Sequence, residues 1–181
     1  PVVPFIKATQ DRIVLEIPRG CIRGCRFCQA GMIYRPNREK GVEHLKELAQ
    51  KLIASTGYEE ISLSSLSSSD YAELEELINY LIDICKKKKI NISLPSLRID
   101  AFSLDIMQKV QDIKKSSLTF APEAGTQRLR NVINKGLTEE NILTGAMDAF
   151  RGGWNRVKLY FMLGLPGETY DDIEGIAVLS D

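Results

Sequence analysis

Apolar and polar residues alternate along this chain in two rhythms, one of period two and one near 3.6. Residues 13–18, Ile13-Val14-Leu15-Glu16-Ile17-Pro18, read as a first strand closed by proline. Val42, Leu45, Leu48, Ala49, Leu52 and Ile53 recur at i, i+3 and i+4, which predicts an amphipathic helix over 42–55, ended by Gly57. Glu60-Ile61-Ser62-Leu63-Ser64 alternates as a second strand. Asp70 and Glu73 stand at capping-box spacing ahead of the helical stripe Leu74, Leu77, Ile78, Leu81, Ile82 and Cys85. Residues 90–97 predict a third strand, Ser103 a cap for a short helix to about Ile113, and residues 117–122 a fourth strand. Helical pattern returns at 125–134 and 139–151, punctuated by Gly136 and by Gly152-Gly153. Val157 to Leu163 predicts a fifth strand, and Thr169 with Asp172 opens one more helix.

Strands alternating with helices are βαβ units, hence α/β with a parallel sheet and right-handed crossovers. Five βα units follow a lead-in segment, residues 1–12, so that 13–181 forms one core. The first βα turn has no G-x-G-x-x-G, and cysteines take its place. That favours a barrel-type closure over a dinucleotide-binding sheet.

The turn reads Arg19-Gly20-Cys21-Ile22-Arg23-Gly24-Cys25-Arg26-Phe27-Cys28-Gln29-Ala30-Gly31, with three cysteines at C-x₃-C-x₂-C. Thiolates are soft donors, suited to zinc or to an iron–sulfur cluster. A structural zinc site takes four closed ligands, and a [4Fe–4S] cube usually takes four cysteines. Three leave one position open, as a catalytic metal site requires. A zinc-stabilised binding domain and a closed iron–sulfur electron-transfer module are the alternatives. Cys85 lies on an apolar helical face and is read as core.

Composition narrows this further. A chain of 181 residues, 44% hydrophobic, can bury a substantial core, and 27% charged residues is ordinary for a soluble domain. Zero net charge argues for neither nucleic acid nor membrane as a partner of the whole chain. No apolar run approaches the ~20 residues of a membrane span. Clustered cysteines point to a reducing compartment, the cytoplasm. Pro1-Val2-Val3-Pro4 shows no methionine and no signal layout, so the chain is expected to be cut from a longer one. Locally, Arg19, Arg23, Arg26, Arg35, Arg38 and Lys40 face Glu39 alone. They could offset a negative cluster–thiolate assembly or receive an anionic substrate such as RNA, and the first is favoured.

In barrels of this class chemistry gathers at the carboxyl ends of strands. After the second strand, Ser64 and Ser65 stand at the head of a serine run that could also cap the next helix. After the third, Arg98 offers a fork for a carboxylate or phosphate, unless Asp100 takes it. Glu123 ends the fourth, an expensive place for an unpaired charge that a ligand's hydroxyls would satisfy. Lys135 sits in the last turn of a predicted helix, where a cation also complements the dipole. After the fifth, Gly164 and Gly167 could let backbone approach a flat ring, or simply make a tight turn.

The cysteine spacing, with Phe27 in the aromatic position before the third cysteine, resembles the radical S-adenosylmethionine superfamily. The resemblance implies a partial, open (β/α)₆ barrel, here with five βα units and the sixth strand missing. It implies that Cys21, Cys25 and Cys28 hold a [4Fe–4S] cluster whose open iron chelates S-adenosylmethionine, and that one electron then yields a 5′-deoxyadenosyl radical. By the same resemblance Glu123 bonds the ribose, Lys135 the methionine carboxylate, and the Gly164–Gly167 junction the adenine. Relatives often carry Gly-Gly-Glu where this chain has Ser64-Ser65, so that junction departs from the pattern. The strings around Cys25–Pro36, Ser62–Tyr71 and Leu94–Arg98 resemble a subgroup that carries a cobalamin-binding-like domain, with methylthiotransferases more distant. Implied partners are an external low-potential electron donor, flanking domains of a longer chain, and an RNA or protein substrate. Cobalamin is an expected cofactor of that longer protein.

Overall fold

In the computed structural model, residues 3–6, 8–95, 97–101, 108, 109 and 118–181 are described. The predicted cap at Ser103 lies outside them, and of the helix expected after it only Gln108 and Lys109 fall within. In chain order the elements are β1 (Ile13–Glu16), β2 (Pro18–Arg19), α1 (Gln29–Ile33), β3 (Arg38–Glu39), α2 (Val42–Thr56), β4 (Glu60–Ser64), α3 (Leu74–Lys88), β5 (Asn91–Ser93), β6 (Leu118–Glu123), α4 (Gln127–Val132), α5 (Glu139–Arg151), β7 (Val157–Phe161) and α6 (Tyr170–Ser180). Short 3₁₀ turns stand at Ser68–Asp70 and Ile99–Ala101. The chain divides into two compact units.

The first unit contains β1 to β3, α2, β4, α3 and β5. Strands β1, β4 and β5 form a parallel sheet in that order, with Ile13 opposite Ile61 and Ile61 opposite Ile92. Alternation puts Ile13 and Leu15 inside and Val14 outside. Leu45, Ala49 and Ile53 of α2 and Leu77, Ile78, Leu81 and Cys85 of α3 share one core with them. Burying each such Leu or Ile contributes about 1.5–3 kcal/mol. The antiparallel two-residue pair β2–β3 falls where hydrophobic periodicity has nothing to read. The helix start expected at Asp70 falls later in the chain. Asp70 closes the 3₁₀ turn, and Glu73 is itself the N-cap of α3. The Glu73 carboxylate accepts from the Val42 amide at 3.3 Å and from the Tyr71 hydroxyl at 3.2 Å.

The second unit contains residues 20–36 with α1, the turn at 99–101, and everything from β6 to α6. Strands β6 and β7 are parallel, with Leu118 opposite Val157 and Phe120 opposite Leu159. An irregularity before Glu123 leaves it opposite Phe161. Thr126 caps α4 by accepting from the Leu129 amide, and Thr138 with Asn141 boxes the start of α5. At the start of α6 the Asp172 carboxylate accepts from the Thr169 amide and hydroxyl, each at 2.8 Å, and also from the Thr126 hydroxyl and the Arg128 guanidinium. Asp172 is 2% exposed, and these donors, Thr126 foremost, hold its carboxyl well below the usual range. Beside them a side chain on Gly125 would meet the Ile176 amide nitrogen at 2.3 Å, so only glycine lets the start of α4 touch α6.

Candidate active site

The cysteine loop is built by its own amides and by a neighbouring turn. Cys28 is the N-cap of α1, its Sγ accepting from the Gly31 amide at 3.3 Å. Cys21 Sγ accepts from the Arg23 amide at 3.5 Å, and the Cys28 amide donates to the Cys25 carbonyl at 3.1 Å. All three thiols are free and half-buried. Gly24 takes φ +80°, a left-handed step that turns the chain between the first two cysteines. The Arg26 amide donates to the Ile133 carbonyl at 2.9 Å, its guanidinium donates to the Val132 carbonyl, and Asn134 donates to the Gly24 carbonyl at 2.9 Å. Arg35 donates to the Gly31 carbonyl at 2.9 Å.

A thiolate-bound iron–sulfur group fits this loop by its chemistry. It offers three soft donors, two of them already accepting backbone N–H bonds of the kind that tune a cluster's potential. Among the described residues, no three His, Cys, Asp or Glu side chains stand gathered as a ready-made metal site. The fit therefore rests on the donor set and its amides.

Glu123 ends β6 in the left-handed region at φ +71°, which is uncommon for a side-chain-bearing residue. Its expected lack of a protein partner is corrected by the structure. Lys135 Nζ stands 3.2 Å from Glu123 Oε1, with the two side chains 12% and 15% exposed. The same ammonium lies 5.8 Å from the centroid of the Phe27 ring. Phe27, Glu123 and Lys135, chosen separately from the sequence, thus meet at one place. Lys135 is not in a helix's last turn. α4 ends at Val132, Asn134 turns at φ +54°, and the Lys135 amide returns to the Arg130 carbonyl at 2.9 Å.

Arg98 is already engaged. Asp100 takes its fork in two bonds of 2.9 and 3.0 Å, and the guanidinium also donates to the Lys135 carbonyl at 3.3 Å. Arg23 stands 3.7 Å from the same Asp100. Gly164 and Gly167 take φ +80° and +76°, with open space where a side chain would begin. The Gly164 amide donates to Glu168 at 2.7 Å. Ser64 and Ser65 belong to the first unit. The Ser64 carbonyl accepts from the Ile17 amide at 3.1 Å. The Ser65 hydroxyl lies 2.8 Å from that of Ser68, which donates to the Pro95 carbonyl at 2.9 Å. Ser67, 4% exposed, has a hydroxyl with no partner among the described residues.

The basic run is largely absorbed by the protein itself. Arg26 and Arg35 brace the cysteine loop, while Arg19 and Lys40 hold Glu16 down at about 2. Sequence reasoning missed Arg130, which is fully buried. It donates to the carbonyls of Ala124 at 3.0 Å, Gly125 at 3.1 Å and Leu137 at 3.3 Å. Burial pushes its pKa down. The available signal was a cation lodged beside Leu129 on an apolar face.

Parallel α/β architecture, with a three-thiol loop after the first strands, is the arrangement expected of a protein of the radical-enzyme class. The sequence profile of the Radical SAM superfamily matches residues 15–179, and the chain belongs to that family. An uncharacterized protein of Methanocaldococcus jannaschii is 40% identical over 167 residues, covering 92% of this chain and 36% of its own length. A second protein of that organism, named provisionally as a methylthiotransferase, is 24% identical over 88% of this chain and 37% of its own. An uncharacterized methyltransferase of Pyrococcus horikoshii is 23% identical over 95% of this chain and 38% of its own. The chain therefore spans little more than a third of the length of these relatives. The crystal structure of HydG, a maturase of the [FeFe]-hydrogenase, has the same kind of fold. Its TM-score is 0.50 at 16% identity, over 93% of this chain and 39% of that one. Membership implies the cofactors of the class, a [4Fe–4S] cluster and S-adenosylmethionine. No helix among the described residues is long and apolar enough to cross a membrane.

Proposed function

We propose that this chain is the core of a radical enzyme in which Cys21, Cys25 and Cys28 hold a [4Fe–4S] cluster beside a site for S-adenosylmethionine. The reading is carried by the Glu123–Lys135 pair, set against Phe27 on the turn that braces the cysteine loop. When bound, the cluster supplies the single electron that cleaves S-adenosylmethionine to methionine and a 5′-deoxyadenosyl radical.

The chain's residues do the positioning. Glu123 and Lys135 neutralise each other while the site is empty, so neither charge is left unpaired in a poorly hydrated place. On binding they exchange partners: the ammonium turns to the methionine carboxylate and the carboxylate accepts from ribose hydroxyls. Phe27 covers one side of the ammonium. Gly164 and Gly167 leave open backbone for the adenine ring. Arg98, occupied by Asp100, acts through the Lys135 carbonyl rather than on the ligand.

For the whole protein, two relatives named for methylthio and methyl transfer support a group-transfer reaction. An RNA or protein is the proposed substrate, served by an external low-potential electron donor, by flanking domains and by cobalamin. Free thiols accord with a cytoplasmic setting.

Anaerobic reconstitution of the intact protein tests the core reading. Adding S-adenosylmethionine should change the electron paramagnetic resonance spectrum of the reduced cluster, and deoxyadenosine should accumulate. An unmoved spectrum with no deoxyadenosine would leave an electron-transfer module. Zinc in protein purified without air would leave a binding domain.

A further inference from the structure

The turn after α4 reaches in two directions. Towards the cysteine loop, the Ile133 carbonyl receives the Arg26 amide, the Val132 carbonyl receives the Arg26 guanidinium, and Asn134 donates its side-chain amide to the Gly24 carbonyl at 2.9 Å. Towards the charged pair, the same turn presents Lys135, which reaches Glu123 at 3.2 Å. Asn134 is the residue common to both. Its backbone at φ +54° makes the left-handed step that sends the Lys135 amide back to the Arg130 carbonyl at 2.9 Å. Its side chain holds Gly24, which lies between Cys21 and Cys25. Ile133 is buried with Leu129, Ala124 and Leu165, and Phe27 packs against that cluster, so the turn has a fixed apolar backing.

We infer that Asn134 is a positioning residue that couples the cysteine loop to the Glu123–Lys135 pair, so that one turn sets both the thiolates and the charges facing S-adenosylmethionine. This rests on the functional reading above. The residue type is what such a coupler requires. Asparagine tolerates the left-handed region and keeps an N–H donor. Glycine would satisfy the backbone alone. Aspartate would put an acceptor against the Gly24 carbonyl. A simple helix-ending role would be served as well by glycine, and this separates the two explanations.

The test uses the intact protein and compares wild type with Asn134→Gly and Asn134→Asp. In the metal-free state, amide hydrogen exchange of Arg26 and Cys28 should accelerate about three- to tenfold in both variants, the loss of one net hydrogen bond. Exchange in α2 and α3, in the other unit, should not change. After anaerobic reconstitution, both variants should lose cluster faster and show a similar rise in KM for S-adenosylmethionine. If Asn134→Gly matches wild type in loop exchange and in KM, Asn134 only ends a helix and the coupling is overturned. The exchange arm needs no cofactor. It therefore judges the latch separately from the wild-type spectral response to S-adenosylmethionine, whose absence would overturn the functional reading instead.

Discussion

Glu123→Gln and Lys135→Met, made singly and together, should behave as a strongly coupled pair in the protein without cofactor. The magnitude follows from the geometry. At 3.2 Å and an effective dielectric of ~20, the attraction is about 5 kcal/mol. Both side chains are more than four-fifths buried, so desolvation offsets much of that gain. A net coupling of about 1–3 kcal/mol remains, above the ≲1 kcal/mol of exposed pairs. Glu123→Gln leaves a buried ammonium facing a neutral amide oxygen in place of a carboxylate, with the Phe27 ring at 5.8 Å adding about 0.5–2 kcal/mol. Each single change should therefore destabilise by about 1–3 kcal/mol, and the double variant should recover most of one of those losses. Urea unfolding at pH 7 measures this. The chain's single tryptophan, Trp154, is buried in the second unit and reports on it by fluorescence. Effects that add to within about 0.5 kcal/mol would refute the pairing, and with it the claim that each charge holds the other until ligand arrives.

The remaining tests are shorter. Alanine at Cys21, Cys25 or Cys28 should abolish cluster assembly, while Cys85→Ala should keep it, since burial pushes that thiol up to about 11 and removes it from metal chemistry; iron and sulfide analysis of the four variants decides. Burial, and then Glu73, push Tyr71 from the ordinary phenol value near 10 up to about 12. Its contribution to stability is complete below pH 10 and lost as pH rises through 12, so Tyr71→Phe should flatten that alkaline decline in urea midpoints. Asp172 is shifted the other way. Its contribution is complete above about pH 4 and lost as pH falls through its lowered folded value, so Asp172→Asn should flatten the acid limb followed by circular dichroism.

The periodic parts of the fold were legible. The strand at 60–64 and the helix at 139–151 stand where hydrophobic spacing puts them, because each buries one face of a regular element. The Thr169–Asp172 start was legible for the same local reason, whereas the start of α3 was set too early at Asp70, because a 3₁₀ turn occupies Ser68–Asp70 and Glu73 is the N-cap. At the site, a charge at a strand end picked out Glu123, while the family resemblance picked out Phe27 and Lys135. Their mutual contact was not readable, since it depends on a left-handed turn at Asn134 that no periodicity encodes. Arg98 was read as a ligand fork unless Asp100 took it, and Asp100, two residues on, does take it.

Two side-chain-bearing residues in the left-handed region, Glu123 and Asn134, bracket α4. That conformation costs an ordinary L-residue about 1–2 kcal/mol and asparagine less. Glycine would relieve it at either place but would remove the carboxylate that meets Lys135 or the amide that meets Gly24. At Gly164 and Gly167, in the same unit, the same region of backbone is occupied by glycine, and no side chain is asked for. Around α4 the left-handed positions carry side chains that make tertiary contacts, whereas at Gly164 and Gly167 bare backbone suffices. Arg130 supplies what holds α4: its buried guanidinium ties down Ala124 and Gly125 just after Glu123, and Leu137 just after Lys135. The short helix α4 is thus a brace clamped at both ends by one buried cation.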